Sequence, residues 1–396
     1  MNQLKKNTEP VHVLFLVDVL RGLDFKGGAT SGLAGIEGVL LKIMRLVPRD
    51  RYKFSLATFS LGQDVPDAKQ LPCPLHVFPL KSTYDWNAVK MAGKLRNLIK
   101  SEKVSIVHTF LESSDIWGGL VAKISGCPIL ISSRRDMGCF RSKKHEFGYK
   151  VVNPLVDQFQ AVSEEVRSYL IKNDGIAPER VVTLYNGVEL ERIAAVNGAA
   201  ELRLKLGLSA EDPIITTVAN IRPIKGIDVL VRSAAMVCKE FPRARFLLAG
   251  EVLDRPYHEQ IKDLINNLQL SENVLFLGRS DRVPSLLKLS TLFCMLSRSE
   301  GFSNAILEAM AVSLPCVVTR VGGNAEAVDD GRNGFLVENE DSVTAAERIL
   351  TLLRDPKRAR LMGKAGHDTI ASKFTAETMA GRWTTLYDEL VASRLN

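Results

Sequence analysis

The chain lacks most of the short signatures that mark common chemistries. No CxxC pair occurs, and Cys73, Cys127, Cys139, Cys238, Cys294 and Cys316 show no metal-ligand spacing. A zinc ribbon and a disulfide framework are therefore excluded, and the thiols read as reduced core residues of a cytoplasmic protein. Neither GxGxxG nor GxxxxGK is present, so dinucleotide and P-loop readings have no support. No DxD occurs, which argues against a metal-dependent nucleotide-sugar site. Basic and aromatic residues are not interleaved, so nucleic acid is not the expected partner. No window approaches the roughly 20 apolar residues of a membrane span. The start, MNQLKKNTEPVHVLFLVDV, sets two lysines before an apolar run. That run carries Asp18 and no small-residue cleavage site, so it reads as a first buried strand and not as a signal peptide.

What is present is a globular composition, 46% hydrophobic and 24% charged, over 396 residues. That length is too great for one ordinary core, and two domains are expected. Residues 1–190 hold 26 Lys and Arg against 19 Asp and Glu, whereas residues 191–396 hold 26 of each. The whole net charge of +7 belongs to the first half. An anionic membrane surface or a phosphate-bearing substrate suits that half. The stretch RRDMGCFRSKKHEFGYK concentrates it in Arg134, Arg135, Arg141, Lys143, Lys144 and Lys150.

Short β-rich runs alternate with amphipathic segments throughout. Strands are expected at 11–18, 54–59, 75–80, 104–108, 128–133 and 158–163 in the first half. The second half offers 214–220, 244–250, 273–278, 291–296 and 315–319. Helical periodicity fills the gaps, as in GIDVLVRSAAMVCKEF. This rhythm predicts an α/β protein of two Rossmann-like, doubly wound domains. The expected division is 1–190, a linker at 191–211, 212–373, and a last helix at 374–396 crossing back onto the first domain.

Ligands of such sheets sit beyond the carboxyl ends of the strands. Gly27 and Gly28 follow the first strand and allow close backbone approach, and His108 closes the strand VSIVH. Arg222 and Lys225 follow the first strand of the second half, where a fork and a point charge suit a diphosphate. Glu300 and Gly301 precede a helix expected to begin near Ser303, whose free N–H groups attract phosphate. Glu308 stands nearly two turns into it and suits vicinal hydroxyls.

Glu300 and Glu308 form an E-x7-E inside EGFSNAILEAMA, and NGV, KGID, LLAGE, VLFLG, PCVVT, VGGNAE and DDGRNGFLV occur in that order along the chain. With these motifs the chain resembles the retaining GT-B-fold glycosyltransferases of family four over almost its whole length. The resemblance implies a nucleoside-diphosphate sugar donor in an interdomain cleft, without metal or cofactor, and a glycan or lipid-linked hydroxyl acceptor. It implies that Glu300 touches the donor sugar and Glu308 the ribose. Gly301, Phe302, Ser303 and Asn304 would cover sugar and phosphates, and Lys225 would bind the diphosphate flanked by Gly27 and Gly28. His108 would lie near the transferred sugar. The family often has arginine where this chain has Asn220; here the arginine is Arg222. The rival readings are an epimerase-like sugar-nucleotide enzyme and a non-catalytic nucleotide-sugar-binding subunit.

Overall fold

The computed structural model describes residues 9–20, 35–62, 71–139 and 141–395. Gly27 and Gly28 lie outside the described residues. The first seven strands are β1 (Val11–Leu20), β2 (Tyr52–Leu61), β3 (Leu75–Val77), β4 (Ile106–Phe110), β5 (Ile129–Arg134), β6 (Gln158–Ala161) and β7 (Val181–Thr183). They form one sheet in the order β3-β2-β1-β4-β5-β6-β7, with every pairing parallel. The second sheet holds β8 (Ile214–Val218), β9 (Arg245–Ala249), β10 (Val274–Gly278), β11 (Leu292–Met295), β12 (Cys316–Thr319) and β13 (Phe335–Val337). Its order is β10-β9-β8-β11-β12-β13, again parallel.

Parallel sheets covered on both faces need strands that are apolar throughout rather than alternating. Accordingly β4, β5, β11, β12 and β13 are buried at every position. Each of the eleven expected strand segments overlaps one of these strands. The edge strands β7 and β13 were not expected, because three residues are too few to show a period. Strand order reverses between β1 and β4 in one sheet and between β8 and β11 in the other. Those two switch points face a shared cleft.

The chain crosses between the domains twice, at Asn186–Val188 and at Phe374–Ala376. The crossings lie side by side, with Val188 N–H donating to Phe374 O and Ala376 N–H donating to Val188 O, both at 2.9 Å. A Cβ at Gly187 would lie 2.3 Å from the carbonyl oxygen of Thr375, so only glycine lets the two segments touch. Beyond the crossing, the helix Ala376–Arg394 returns to the first domain. Its Met379, Trp383, Tyr387 and Leu390 join the core formed by β1, β2 and the helix Ile36–Leu46. Between the domains the helix Ala199–Lys205 contributes Leu202 to a core shared with Ile214 and Leu247 of the second sheet.

All six cysteines are free thiols. Cys127, Cys294 and Cys316 are buried, while Cys139 is exposed and contacts Ser299 across the cleft at 3.2 Å. The core assignment therefore fails for Cys139.

Candidate functional site

A cavity of about 590 Å³ opens between the domains. Its walls come from the carboxyl ends of β1, β4, β5, β8 and β11 and the loops that follow them, including Leu111, Arg135, Asn220, Arg222, Lys225 and Glu300 to Asn304. The loop after β8 makes a single 3₁₀ turn, Pro223–Lys225, ended by Gly226 at φ 60°. A Cβ there would be 1.9 Å from the Leu296 carbonyl, so the loop can pass over the end of β11 only as glycine. Arg298 fixes this loop from below, donating to the Asp228 carboxylate at 2.8 and 2.9 Å. Lys225 is thereby aimed at Glu300, and its Nζ lies 2.6 Å from Glu300 Oε1. Both side chains are largely shielded, at 17% and 10% exposure, so this contact is worth more than a surface ion pair.

Gly301 sits at a close approach of the two domains. A Cβ on it would meet the Arg135 carbonyl of the first domain at 1.9 Å. Gly322, at φ 51°, passes so near that its Cβ would lie 1.7 Å from Glu300 O. Gly323 N–H donates to Gly301 O at 2.9 Å. The Glu300–Asn304 segment is thus clamped on two sides by backbone. Phe302 lines the cavity, but its ring packs with Tyr185 and Phe374 at the crossings. Its carbonyl accepts from Asn186 Nδ2 at 3.3 Å.

Ser303 is the N-cap of the helix Asn304–Ala311. The first N–H groups of that helix, with the positive end of its dipole, face the cavity beside Lys225 and Arg222. Asn304 Oδ1 is buried there without a hydrogen-bond partner. One turn further along stands Glu308. Its Oε2 is enclosed and makes no hydrogen bond, and burial pushes its carboxyl up to about 7 against the pull of Lys42. Lys42, buried on the helix Ile36–Leu46 of the other domain, donates to Gly187 O at 2.7 Å.

Arg222, Lys225, Glu300, Gly301, Phe302, Ser303 and Asn304 therefore meet at one cavity, with Glu308 one turn behind its lining. His108 does not join them. It is fully buried under the returning helix, its Nδ1 3.0 Å from Tyr387 Oη and its Nε2 2.7 Å from Ser133 Oγ. Phe110 stacks on its ring and Trp383 packs against it at a tilt. Burial drives its pKa well below the ordinary value, and the Arg135 charge adds to this, so it is a neutral core residue. Being the last residue of an apolar run suggested the strand's end, but β4 continues two residues past it.

The first domain contributes residues that the sequence did not single out for the site. Arg135, one of the residues of the basic stretch, lines the cavity and donates to Asn186 Oδ1 at 2.7 Å. Burial lowers its pKa to about 10, opposed by Asp136 and Glu37. Arg134 and Arg141 also turn inward, onto Asp115 at 3.2 Å and Asp174 at 2.7 Å respectively. Glu326 spans the interface, its two oxygens accepting from Glu164 N–H at 2.9 Å and Glu165 N–H at 3.1 Å. A carboxylate of the second domain thus satisfies the first turn of a helix in the first.

Comparison with known proteins agrees with this arrangement. Residues 33–192 match the family model described as Glycosyltransferase Family 4, and residues 199–369 match Glycosyl transferases group 1. N-acetyl-alpha-D-glucosaminyl L-malate synthase of Bacillus anthracis is 32% identical, over 54% of this chain and 55% of that protein. This match thus spans about half the length of that relative. UDP-Gal:alpha-D-GlcNAc-diphosphoundecaprenol alpha-1,3-galactosyltransferase of Escherichia coli is 26% identical over 91% of this chain and 95% of its own. Among solved structures, Anabaena HepE in complex with UDP and glucose superposes with a TM-score of 0.80, covering 96% of this chain and 100% of that one at 22% identity. The two family segments together take in most of the chain, each falling on one sheet of the GT-B architecture. The chain belongs to the family-four, group 1 glycosyltransferases.

Proposed function

We propose that the protein transfers a sugar from a nucleoside-diphosphate donor to a hydroxyl acceptor with retention of configuration. The observation that carries this reading is the Lys225–Glu300 pair set beside the free N–H groups of the helix Asn304–Ala311. A cation and a helix start suit the diphosphate, and a carboxylate suits the hydroxyls of the attached sugar. Arg222 supplies a second cation on the same wall. Glu308 receives the ribose hydroxyls, which would satisfy its enclosed oxygen. The Anabaena neighbour holding UDP and glucose in the same fold supports this class of donor.

Donor binding rearranges one contact. Lys225 must leave Glu300 for the diphosphate, which releases the carboxylate for the sugar. In the reaction the bond from the anomeric carbon to the diphosphate oxygen breaks, and a bond to the acceptor oxygen forms on the same face. The acceptor proton passes to the departing phosphate oxygen. Lys225, Arg222 and the helix start stabilise the charge that grows there, each contact being worth about 3 kcal/mol of barrier. They take this role without a metal ion.

The acceptor is a glycan or a lipid-linked sugar, as the name of the Escherichia coli relative supports, in polysaccharide or other envelope glycan assembly at the cytoplasmic face. Among the described residues no helix is long and apolar enough to cross a membrane. The helix Lys143–Val152 instead presents Lys143, Lys144 and Lys150 beside Phe147, which is 71% exposed. This face makes the peripheral contact with anionic lipid. Calorimetry with UDP, GDP and ADP tests the donor reading. Tight binding of one is expected, and binding of none at millimolar concentration would refute it.

A further inference from the structure

β12 is followed by the loop 320–323 and the short helix Asn324–Ala327, which carries Glu326. The loop is a spacer one backbone thick between the donor segment and the first domain. On one side Gly322 lies against Glu300 O, and Gly323 N–H donates to Gly301 O. On the other, a Cβ on Gly323 would meet Ser163 Cβ of the first domain at 2.7 Å. Asn324, 1% exposed, closes the loop by donating from Nδ2 to Thr319 O at 3.0 Å. Loop and helix are thereby joined into one unit.

Glu326 ties that unit to the first domain. Its two oxygens accept from the N–H groups of Glu164 and Glu165, the first two residues of the helix Glu164–Lys172. Those groups have no acceptor within their own helix, and Ser163 Oγ already serves the next one, Val166 N–H, at 3.2 Å. Tyr185 stands beside the same carboxylate. Burial, and then the neighbouring Glu326, raise the pKa of its hydroxyl. The Tyr185 ring packs on Phe302 of the donor segment and on Phe374 of the second crossing. One carboxylate thus reaches the first domain directly, and the donor segment and the crossings through its neighbours. So close to the crossings, a small shift is magnified across the cleft.

We propose that Glu326 is a positioning residue: bonded to the helix Glu164–Lys172, it fixes the angle between the domains and, through Gly322 and Gly323, the place of Glu300 within the cleft. The proposal rests on the donor reading above and adds the residue that couples that angle to the sugar-contacting carboxylate. Lys225, Arg222 and Glu308 all belong to the second domain, so bare UDP should bind without this tie. Transfer, which needs both walls of the cleft, should not keep its full rate.

The test uses the full-length protein. Cys139 Sγ and Ser299 Oγ face each other across the cleft at 3.2 Å, so Ser299→Cys sets two thiols within reach. The rate at which dithiodipyridine oxidises this pair to a disulfide, read by peptide mass spectrometry, reports how often the two walls meet. Adding Glu326→Ala should slow that rate at least fivefold. Glu326→Gln, which keeps the length and one accepting oxygen, should fall between. With Ser299 intact, Glu326→Ala should hold UDP affinity within twofold by calorimetry. Its kcat for hydrolysis of UDP-glucose, UDP-galactose or UDP-N-acetylglucosamine, whichever the wild type cleaves fastest, should fall at least tenfold, with KM within threefold. A residue serving stability alone would lower the melting temperature and spare both the disulfide rate and the kcat of folded protein. An unchanged disulfide rate, an unchanged kcat, or a loss of UDP affinity that matches the loss of kcat overturns the proposal. Failure of UDP to bind the wild type removes the donor reading and the role given to Glu300 with it, while the disulfide rate still decides whether Glu326 sets the angle.

Discussion

At the scale of single residues, the site is defined by carboxylates whose partners change. Glu300 is held by Lys225 at 2.6 Å. Glu300→Gln therefore frees Lys225, and UDP should bind as well as to the wild type or about 1 kcal/mol more tightly. Turnover of the complete sugar donor should fall by about 3 kcal/mol of barrier. Lys225→Ala should do the reverse to the nucleotide, weakening UDP by about 1.5–3 kcal/mol. Calorimetry and donor kinetics on both variants separate these outcomes, and parallel losses in the two would sink the exchange of partners. Glu308 is governed by pH. Its folded pKa of about 7 stands above the ordinary 4.5, so its favourable contribution is full below pH 4.5 and is lost as pH rises to 7. The loss amounts to roughly 3 kcal/mol. Glu308→Gln should remove this slope and raise the melting temperature of the ligand-free protein at pH 8, while weakening UDP by about 1–3 kcal/mol. In the wild type UDP affinity should fall as pH drops below 7, because a protonated carboxyl accepts fewer hydroxyl bonds. A variant no more stable than wild type at pH 8 would show that Glu308 is not strained by its burial.

At the scale of elements, much was legible because the strands are buried on both faces and announce themselves as unbroken apolar runs. The helix start at Ser303 was legible for a different reason, a polar cap and glycine ahead of an apolar period. His108 was not, since a histidine inside such a run can stand at the strand's end or within it. Its setting became visible only with the returning helix, 279 positions away in the chain, whose Tyr387 supplies the hydrogen bond. The inward turn of Arg134 and Arg141 was not legible, because their partners Asp115 and Asp174 come from other elements. If His108 belongs to the core, His108→Asn should destabilise the protein by about 2–4 kcal/mol and leave turnover of folded enzyme within severalfold of wild type. Tyr387→Phe should cost about 1 kcal/mol. Melting curves and kinetics at a temperature where both variants are folded decide the matter. A large loss of turnover with an unchanged melting temperature would return His108 to catalysis.

At the scale of the whole molecule, charge is sorted between the halves and then between inside and outside. The excess of the first half does not all reach solvent, because Arg134 and Arg141 are spent on internal carboxylates and Arg135 faces the cleft. The lysines of the helix Lys143–Val152 remain outside. Replacing Lys143, Lys144 and Lys150 by glutamine should reduce flotation with anionic vesicles by up to about 1 kcal/mol per charge, and less in high salt. Equal flotation with neutral vesicles would end that idea. Transfer should survive chelation by EDTA, since cations and a helix start already face the diphosphate position. Activity that vanished and returned with magnesium would overturn this account of the phosphate site. The returning helix also has a consequence for how the protein is made. The first domain's core is completed by Trp383 and Tyr387, so a ribosome that has finished the first 190 residues has not yet synthesised a finished domain. That half must wait, with β1, β2 and the helix Ile36–Leu46 uncovered, through synthesis of the entire second domain. The half translated first is therefore the one whose core is completed last.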